Sequence, residues 1–204
     1  MEGYWGYWHG GKGYSGVSLH VSKTLAPERP TFAHPVFDFE TRIATVDVET
    51  PLGTLTVASA YVPNGGKDFT AKMRFLEAMD AYAAAYQASG RLLALLGDIN
   101  VARTERDVHP KERKALAIGQ LPEERALVDR IVGRGLVDVG RALDPENSDL
   151  FTWWPPWRNM RQRNIGWRLD HVFASEALAS RATSCEVQAA VGTSDHAPVI
   201  ANFI

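Results

Sequence analysis

Leu92-Leu93-Ala94-Leu95-Leu96-Gly97-Asp98-Ile99-Asn100 is the stretch on which the fold turns. Its unbroken apolar run, closed by glycine and polar residues, predicts a strand buried on both faces. On its amino-terminal side, Phe75, Met79, Tyr82 and Tyr86 recur at helical spacing and predict an amphipathic helix from Phe69 to Ser89. Earlier still, Arg42 to Glu49 and Thr54 to Tyr61 alternate apolar and polar residues around Pro51-Leu52-Gly53, the pattern of an antiparallel hairpin. Gly16 to Val21 reads as a short strand behind a glycine-rich lead-in. On the carboxyl side, Pro122-Glu123-Glu124 opens a second helix, with proline in the first turn and acids at the positive dipole end, and Gly133 and Gly135 end it. Strands are expected at Leu136–Val139, Arg168–Ala174, Cys185–Ala190 and Pro198–Phe203. Strands outnumber helices, and hairpins mix with helical crossovers. The pattern predicts an α/β sandwich with mixed sheets rather than a doubly wound parallel sheet.

Composition narrows the class. A chain of 204 residues is expected to form a single domain spanning 1–204. The apolar fraction of 45% and charged fraction of 23% are those of a globular protein. A net charge of -2 excludes bulk electrostatic attraction to nucleic acid, so any such binding needs a local basic patch. Cys185 stands alone, which rules out an intrachain disulfide and favours a reducing, cytoplasmic setting. Met1 to Gly16 has no apolar core of a secretory signal, and no run reaches membrane-spanning length.

Polar islands close the apolar runs. Asp98 and Asn100 follow the central strand two residues apart, so both side chains can reach one site; an Asx turn explains them equally well. Asp170, beside Leu169 and Val172, needs a partner near a core. Arg168 is the plain candidate and a distant histidine the sharper one. His171 points the other way and reads as a packed or surface residue. Ser194-Asp195-His196 precedes Ala197-Pro198, which stiffens the loop. Asp195 can ligate a cation through oxygen, and His196 can protonate a phosphate oxygen; a capped turn is the alternative. Tyr61 and Asn64 can both hydrogen-bond a phosphate, or be a strand-end aromatic and a turn residue.

Residues 151–167 are the richest segment. Trp153, Trp154, Trp157 and Trp167 lie there, from a total of 6 tryptophans, with Arg158, Arg161 and Arg163 between them. Aromatic faces interleaved with guanidinium groups suit stacking on bases or sugars plus contacts to phosphates. Trp154 reads as core. Lys12, in Gly10-Gly11-Lys12-Gly13, suits a phosphate-contacting loop, but the Gly-Lys-Ser/Thr ending of a nucleotide-binding P-loop is absent.

In this order, the segments resemble the exonuclease III family of abasic-site DNA endonucleases, within the endonuclease/exonuclease/phosphatase superfamily. The resemblance rests on Gly13-Tyr14-Ser15-Gly16-Val17, Ala60-Tyr61-Val62-Pro63-Asn64, Gly97-Asp98-Ile99-Asn100-Val101-Ala102, Leu121-Pro122-Glu123-Glu124-Arg125, Gly166-Trp167-Arg168-Leu169-Asp170 and Ser194-Asp195-His196-Ala197-Pro198. It implies a four-layer α/β/β/α sandwich with two mixed sheets. It implies that Tyr61, Asp98, Asn100, Asp170 and His196 are catalytic, with Asp170 orienting His196. Asp98, Asn100, Asp195 and His196 would face a magnesium ion, manganese being the alternative. Trp153, Trp167 and Leu169 would line a pocket for a flipped-out abasic sugar. Asn64, Lys12, Tyr14, Arg158, Arg161 and Arg163 would complete the DNA contacts.

The implied activity is metal-dependent hydrolysis 5′ to abasic sites in double-stranded DNA and 3′→5′ trimming, by a monomer with no membrane association. Relatives normally carry a strand–helix–strand unit ahead of the segment matching Gly13 to Val17. That unit is expected to be missing here, with its metal-binding glutamate. Rival expectations are a catalytically impaired DNA-binding fragment, or a phosphatase or phospholipase of the same superfamily.

Overall fold

The computed structural model describes residues 2–11, 13 and 15–204; Lys12 and Tyr14 lie outside the described residues. In chain order the elements are β1 (Tyr4–Gly10), β2 (Gly16–Ser22), β3 (Phe32–Ala33), β4 (Ile43–Thr50), β5 (Gly53–Tyr61), α1 (Phe69–Ser89), β6 (Leu92–Asp98), α2 (Pro122–Val132), β7 (Leu136–Asp138), α3 (Val139–Leu143), β8 (Asp170–Ser175), α4 (Glu176–Ala179), β9 (Ala182–Val187) and β10 (Val199–Phe203). Six strands form a mixed sheet of order β3-β4-β5-β6-β8-β7. β5 and β6 run parallel, whereas β6 is antiparallel to β8.

The apolar run of β6 is buried because both faces of the sheet are covered. On one face, Phe75, Leu76 and Met79 of α1 and Val128 and Ile131 of α2 pack on Ala58, Ala60, Leu93, Leu95 and Phe173. On the other, the β1–β2 pair sets Leu19 and Val21 against Ala44, Val46 and Val48. The β9–β10 pair sets Cys185, Val199, Ala201 and Phe203 against Ala94, Val172 and Ala174. The sandwich class therefore stands. Its second layer differs from a mixed sheet: among the described residues it is two separate antiparallel pairs. Half-buried Leu55 and Val57 touch the clusters under both pairs, so sheet packing rather than strand pairing joins them.

Local chemistry sets the boundaries. Asp68 caps α1 by accepting from the Ala71 amide at 2.8 Å, and Gly90 ends it in the left-handed region. Gly97 has φ +127°, and a Cβ there would lie 2.1 Å from the Ala60 carbonyl oxygen. Only glycine lets β6 approach β5 this closely at the Ala60 row, one residue before Asp98. β8 starts at Asp170, not at Arg168, because the Arg168 amide donates to the Asp107 carbonyl instead of entering the ladder. β9 lies earlier than expected, at Ala182–Val187, since Gln188 to Val191 turns back on itself. β1 is a strand where only a glycine-rich lead-in was visible; Gly3, Gly6, Gly10 and Gly11 masked its aromatic, strand-forming residues.

A buried ionic network closes the far end of the sheet. Arg168 donates to Asp107 at 3.2 Å and to Asp138 at 3.0 Å, and Arg141 donates to Asp107 at 2.7 Å. His171 lies beside Asp138, with its other ring nitrogen on the Val101 carbonyl. Burial alone would raise both carboxyl pKa values; Arg168, His171 and, for Asp107, Arg141 outweigh it and hold both below the ordinary carboxylate range. A carboxyl with a depressed folded-state pKa binds fewer protons folded than unfolded. Its stabilisation is present above the ordinary carboxylate pKa and lost as pH falls through the folded value. The thermal midpoint should therefore hold steady at neutral pH and fall below about pH 4. Asp107→Asn should make that acid limb shallower; an unchanged slope would remove the network as its source.

Candidate active site

Strand register brings the first site residues into one row. Tyr61 is paired with Asp98 across β5 and β6, and Asp98 is paired with Asp170 across β6 and β8. The distant-histidine partner of Asp170 is His196, whose Nδ1 donates to Asp170 Oδ2 at 2.8 Å. That leaves Nε2 for the cleft. Thr152 fixes the start of this row: its buried Oγ1 accepts from the amides of Leu169 and Asp170 at 2.9 and 3.0 Å. Both readings of Asp98 and Asn100 hold at once. Asp98 Oδ1 accepts from the Asn100 amide at 2.9 Å, an Asx turn, and Asn100 has φ 55°. The turn swings the Asn100 carboxamide back onto Asp98 Oδ2, at 3.0 Å, and onto the Val62 carbonyl, at 2.8 Å.

The Ser194-Asp195-His196 loop is likewise a capped turn. Ser194 Oγ accepts from the His196 amide at 3.1 Å. Asp195 Oδ2 accepts from Trp153 Nε1 at 2.9 Å. Trp153 also bridges, strand-like, to Trp167 and to His196, and its ring meets Trp167 edge-on at 5.8 Å. The result is a cavity of about 340 Å³ lined by Tyr61, Asn64, Asp98, Asn100, Ile118, Trp153, Trp167, Leu169, Asp195 and His196.

The electrostatics of the cavity are strained in one direction. Burial, then the charge of Asp170, pushes Asp98 up to about 7, against His196, the Asn100 amide and Lys72. Burial pulls His196 down, but its hydrogen bond to Asp170 and the charges of Asp170, Asp98 and Asp195 outweigh it, and the net shift is upward. Asp195 stays below the ordinary range: burial raises it, and Trp153 and His196 more than compensate. Asp98, Asp170 and His196 each offer a ligand atom, all within 4.8 Å of one another. Two carboxylates facing each other with raised repulsion form a donor set that a hard divalent cation relieves. Of the residues expected to face a metal, Asp98 and His196 belong to this cluster. Asn100 and Asp195 line the same cavity with their polar atoms shared with Asp98 and Trp153.

The arginine segment divides. Arg161 does not face outward: it donates to the carbonyls of Ala189, Val191 and Ser194 and stacks over Trp154, 4.6 Å from the ring centre. It is a staple for the loop carrying Asp195. Arg158 and Arg163 are exposed. Trp154 is core, 2% exposed. Asn64 donates to Asn100 Oδ1 at 3.2 Å, which places it behind the row as well as on the cavity wall.

Sequence reasoning missed three supports. Arg42 stacks over the Tyr61 ring at 4.8 Å. Thr152 carried no pattern. Fully buried Lys72 donates to the Asn100 carbonyl at 2.8 Å and pairs with buried Glu124. Lys72 stands three, four and seven residues before Phe75, Leu76 and Met79, a cation on an apolar helix face, and that signal was available.

The chain matches the Endonuclease/Exonuclease/phosphatase family over residues 2–196. It belongs to that family. Among its relatives, it is 32% identical to exodeoxyribonuclease III of Haemophilus influenzae, over 98% of this chain and 81% of the relative. It is 31% identical to the exodeoxyribonuclease of Bacillus subtilis, over 97% of this chain and 79% of the relative. Among solved structures it superposes on the 3′ phosphatase NExo from Neisseria bound to a product DNA hairpin with TM-score 0.87 and 27% identity, covering 99% of this chain and 80% of that one. An AP endonuclease from Archaeoglobus fulgidus matches with TM-score 0.82 and 25% identity, covering 98% and 79%. Within the family the chain sits with the exonuclease III and AP endonuclease group, as a DNA-repair nuclease and hydrolase of that type. No helix among the described residues is long and apolar enough to cross a membrane.

Proposed function

We propose that this chain hydrolyses the phosphodiester 5′ to abasic sites in duplex DNA and trims 3′ ends, with magnesium as its cation. The observation that carries the proposal is the Tyr61–Asp98–Asp170 row, with His196 held on Asp170 beneath the Trp153–Trp167 wall. Asp98, poised near neutrality, takes the proton of the attacking water. Asp170 accepts from His196 Nδ1 and favours the protonated ring, whose Nε2 then donates to a phosphate oxygen. Tyr61 offers a second donor to the same group. Asn100 holds Asp98 in place through both of its carboxylate oxygens. Magnesium, or manganese in its place, would be held by the Asp98 and Asp170 carboxylates, with Asn100 and Asp195 on the same cavity, and would supply positive charge to the phosphate and acidity to water.

The neighbouring surface supports a DNA track. A hollow lined by Arg158, Gln162, Thr193 and Asp195 lies on one side of the cavity. Another, lined by Arg42, Tyr61, Asn64 and Lys67, lies on the other. With net charge -2, binding rests on such local cations. Removing Arg158 or Arg163 should shrink the salt-dependence slope of DNA binding by roughly one unit each. Arg161→Met should change the slope less and the thermal midpoint more, because its guanidinium is spent on three carbonyls. Equal slopes for all three variants would remove the distinction.

The deciding experiment is incubation with an end-labelled duplex carrying one abasic analogue. Incision on its 5′ side, dependent on magnesium and stopped by chelation, is expected. DNA binding without incision under any divalent cation would leave the impaired binding fragment as the better description. Hydrolysis of inositol phosphates in preference to DNA would favour the phosphatase reading.

A further inference from the structure

We propose a second metal site, built from His9, His34 and Asp38, that takes a borderline transition-metal dication such as zinc. It shares no residue with the cavity that holds Asp98 and His196. The three side chains come from β1, from the residue after β3 and from the loop ahead of β4. Each offers one ligand atom, and those atoms lie within 4.8 Å of one another.

The arrangement is held from behind. Asp38 Oδ1 accepts from the amides of Arg42 and Ile43 at 2.7 and 3.0 Å, which fixes the carboxylate and frees Oδ2. His9 Nε2 donates to that Oδ2 at 2.6 Å. The His9 ring is stacked on Tyr7, and Tyr7 on Phe32, so its orientation is set by packing. Both the His9 and Asp38 side chains are largely buried, at 13% and 7% exposure. His34 is exposed and lies flat on His9, with ring centres 4.4 Å apart. Among the described residues the His34 imidazole makes no hydrogen bond, so it can tilt toward an ion without losing one.

Two imidazoles and a carboxylate are a three-ligand set for zinc, with a fourth position left to water. The backbone amides on Asp38 Oδ1 are the supporting shell that such ligands need. The oxygen-rich nuclease cleft prefers a hard cation, so the two sites differ in the metals they select. In binding, the ion takes the place of the proton between His9 Nε2 and Asp38 Oδ2; a neutral ring carries that proton on Nδ1 instead, and an imidazolium loses it to solvent. An ion there ties the β1–β2 pair to the edge of the six-stranded sheet at β3 and β4. The consequence is on stability and on the β1–β2 pair, not on the bond-breaking step.

The test uses the whole chain, stripped of metal, with excess magnesium present to occupy the nuclease cleft. Zinc is titrated by calorimetry, and cobalt(II) by its visible absorption. The expected result is one equivalent bound, a tetrahedral cobalt spectrum and a raised thermal midpoint. His34→Gln, at an exposed position, should keep the fold and its magnesium-dependent DNA cleavage while weakening zinc binding by about tenfold or more. Asp170→Asn should leave zinc binding unchanged. No uptake by the parent chain, equal uptake by His34→Gln, or loss of uptake in Asp170→Asn would each overturn the proposal.

Discussion

Replacing Asp98 by asparagine is expected to lower phosphodiester cleavage by about 10²–10⁴-fold, the span of a lost general base, without lowering the thermal midpoint. The two halves of this expectation have one cause. Asp98 is held against Asp170 in a partly buried row, and burial and that charge raise its pKa to about 7. Removing its charge removes the repulsion, so the folded chain gains what the reaction loses. One of its two hydrogen bonds with Asn100 survives, because an asparagine oxygen still accepts from the Asn100 amide. The other is lost, at a cost of about 1 kcal/mol, which relief of the repulsion offsets. Steady-state cleavage of the abasic duplex and a thermal melt on the same preparation check both halves. Cleavage within a few-fold of the parent, or a collapsed melt, would show that Asp98 serves the fold rather than the reaction.

How much of this was legible in the sequence depends on how local the cause is. The bounds of α1 matched because its periodicity, the Asp68 cap and Gly90 are all within the helix or next to it. β6 was legible because burial on both faces leaves an unbroken apolar run. That Asp170 needs a partner followed from the cost of a bare carboxylate near a core; that the partner is His196 was implied only by the family resemblance, because the choice between Arg168 and a histidine is not local. The structure gives Arg168 to Asp107 and Asp138, and His196 to Asp170. Arg161 misled because sequence shows a cation between aromatics and not the three carbonyls that claim it. β1 was hidden because its glycines carry no side-chain pattern, although its partner β2 was visible. His9, His34 and Asp38 were illegible as a group because they meet only when the β1–β2 pair packs on the sheet.

Breaking the Lys72–Glu124 pair should have the largest effect on stability, about 3–5 kcal/mol for Lys72→Met, because it leaves a buried charge without its partner. Both side chains are fully buried. Burial pulls the Lys72 pKa down, and Glu124 opposes it. Glu124 has further duties: its Oε2 accepts from the Gly119 and Leu121 amides at 2.6 and 3.0 Å, closing the start of α2. Lys72 in turn donates to the carbonyl of Asn100, the residue whose φ of 55° turns its carboxamide back onto Asp98. The pair is therefore the floor under the Asp98–Asn100 turn, joining α1 and α2 to the end of β6. Lys72→Met combined with Glu124→Gln should cost less than the sum of the single changes, since the glutamine keeps an acceptor for the two amides and carries no charge. At temperatures where Lys72→Met is folded, cleavage should still fall, because the Asn100 carbonyl has lost its anchor. Additive single and double effects, or a folded Lys72→Met chain with parental cleavage, would mean that the turn holds its shape without this floor.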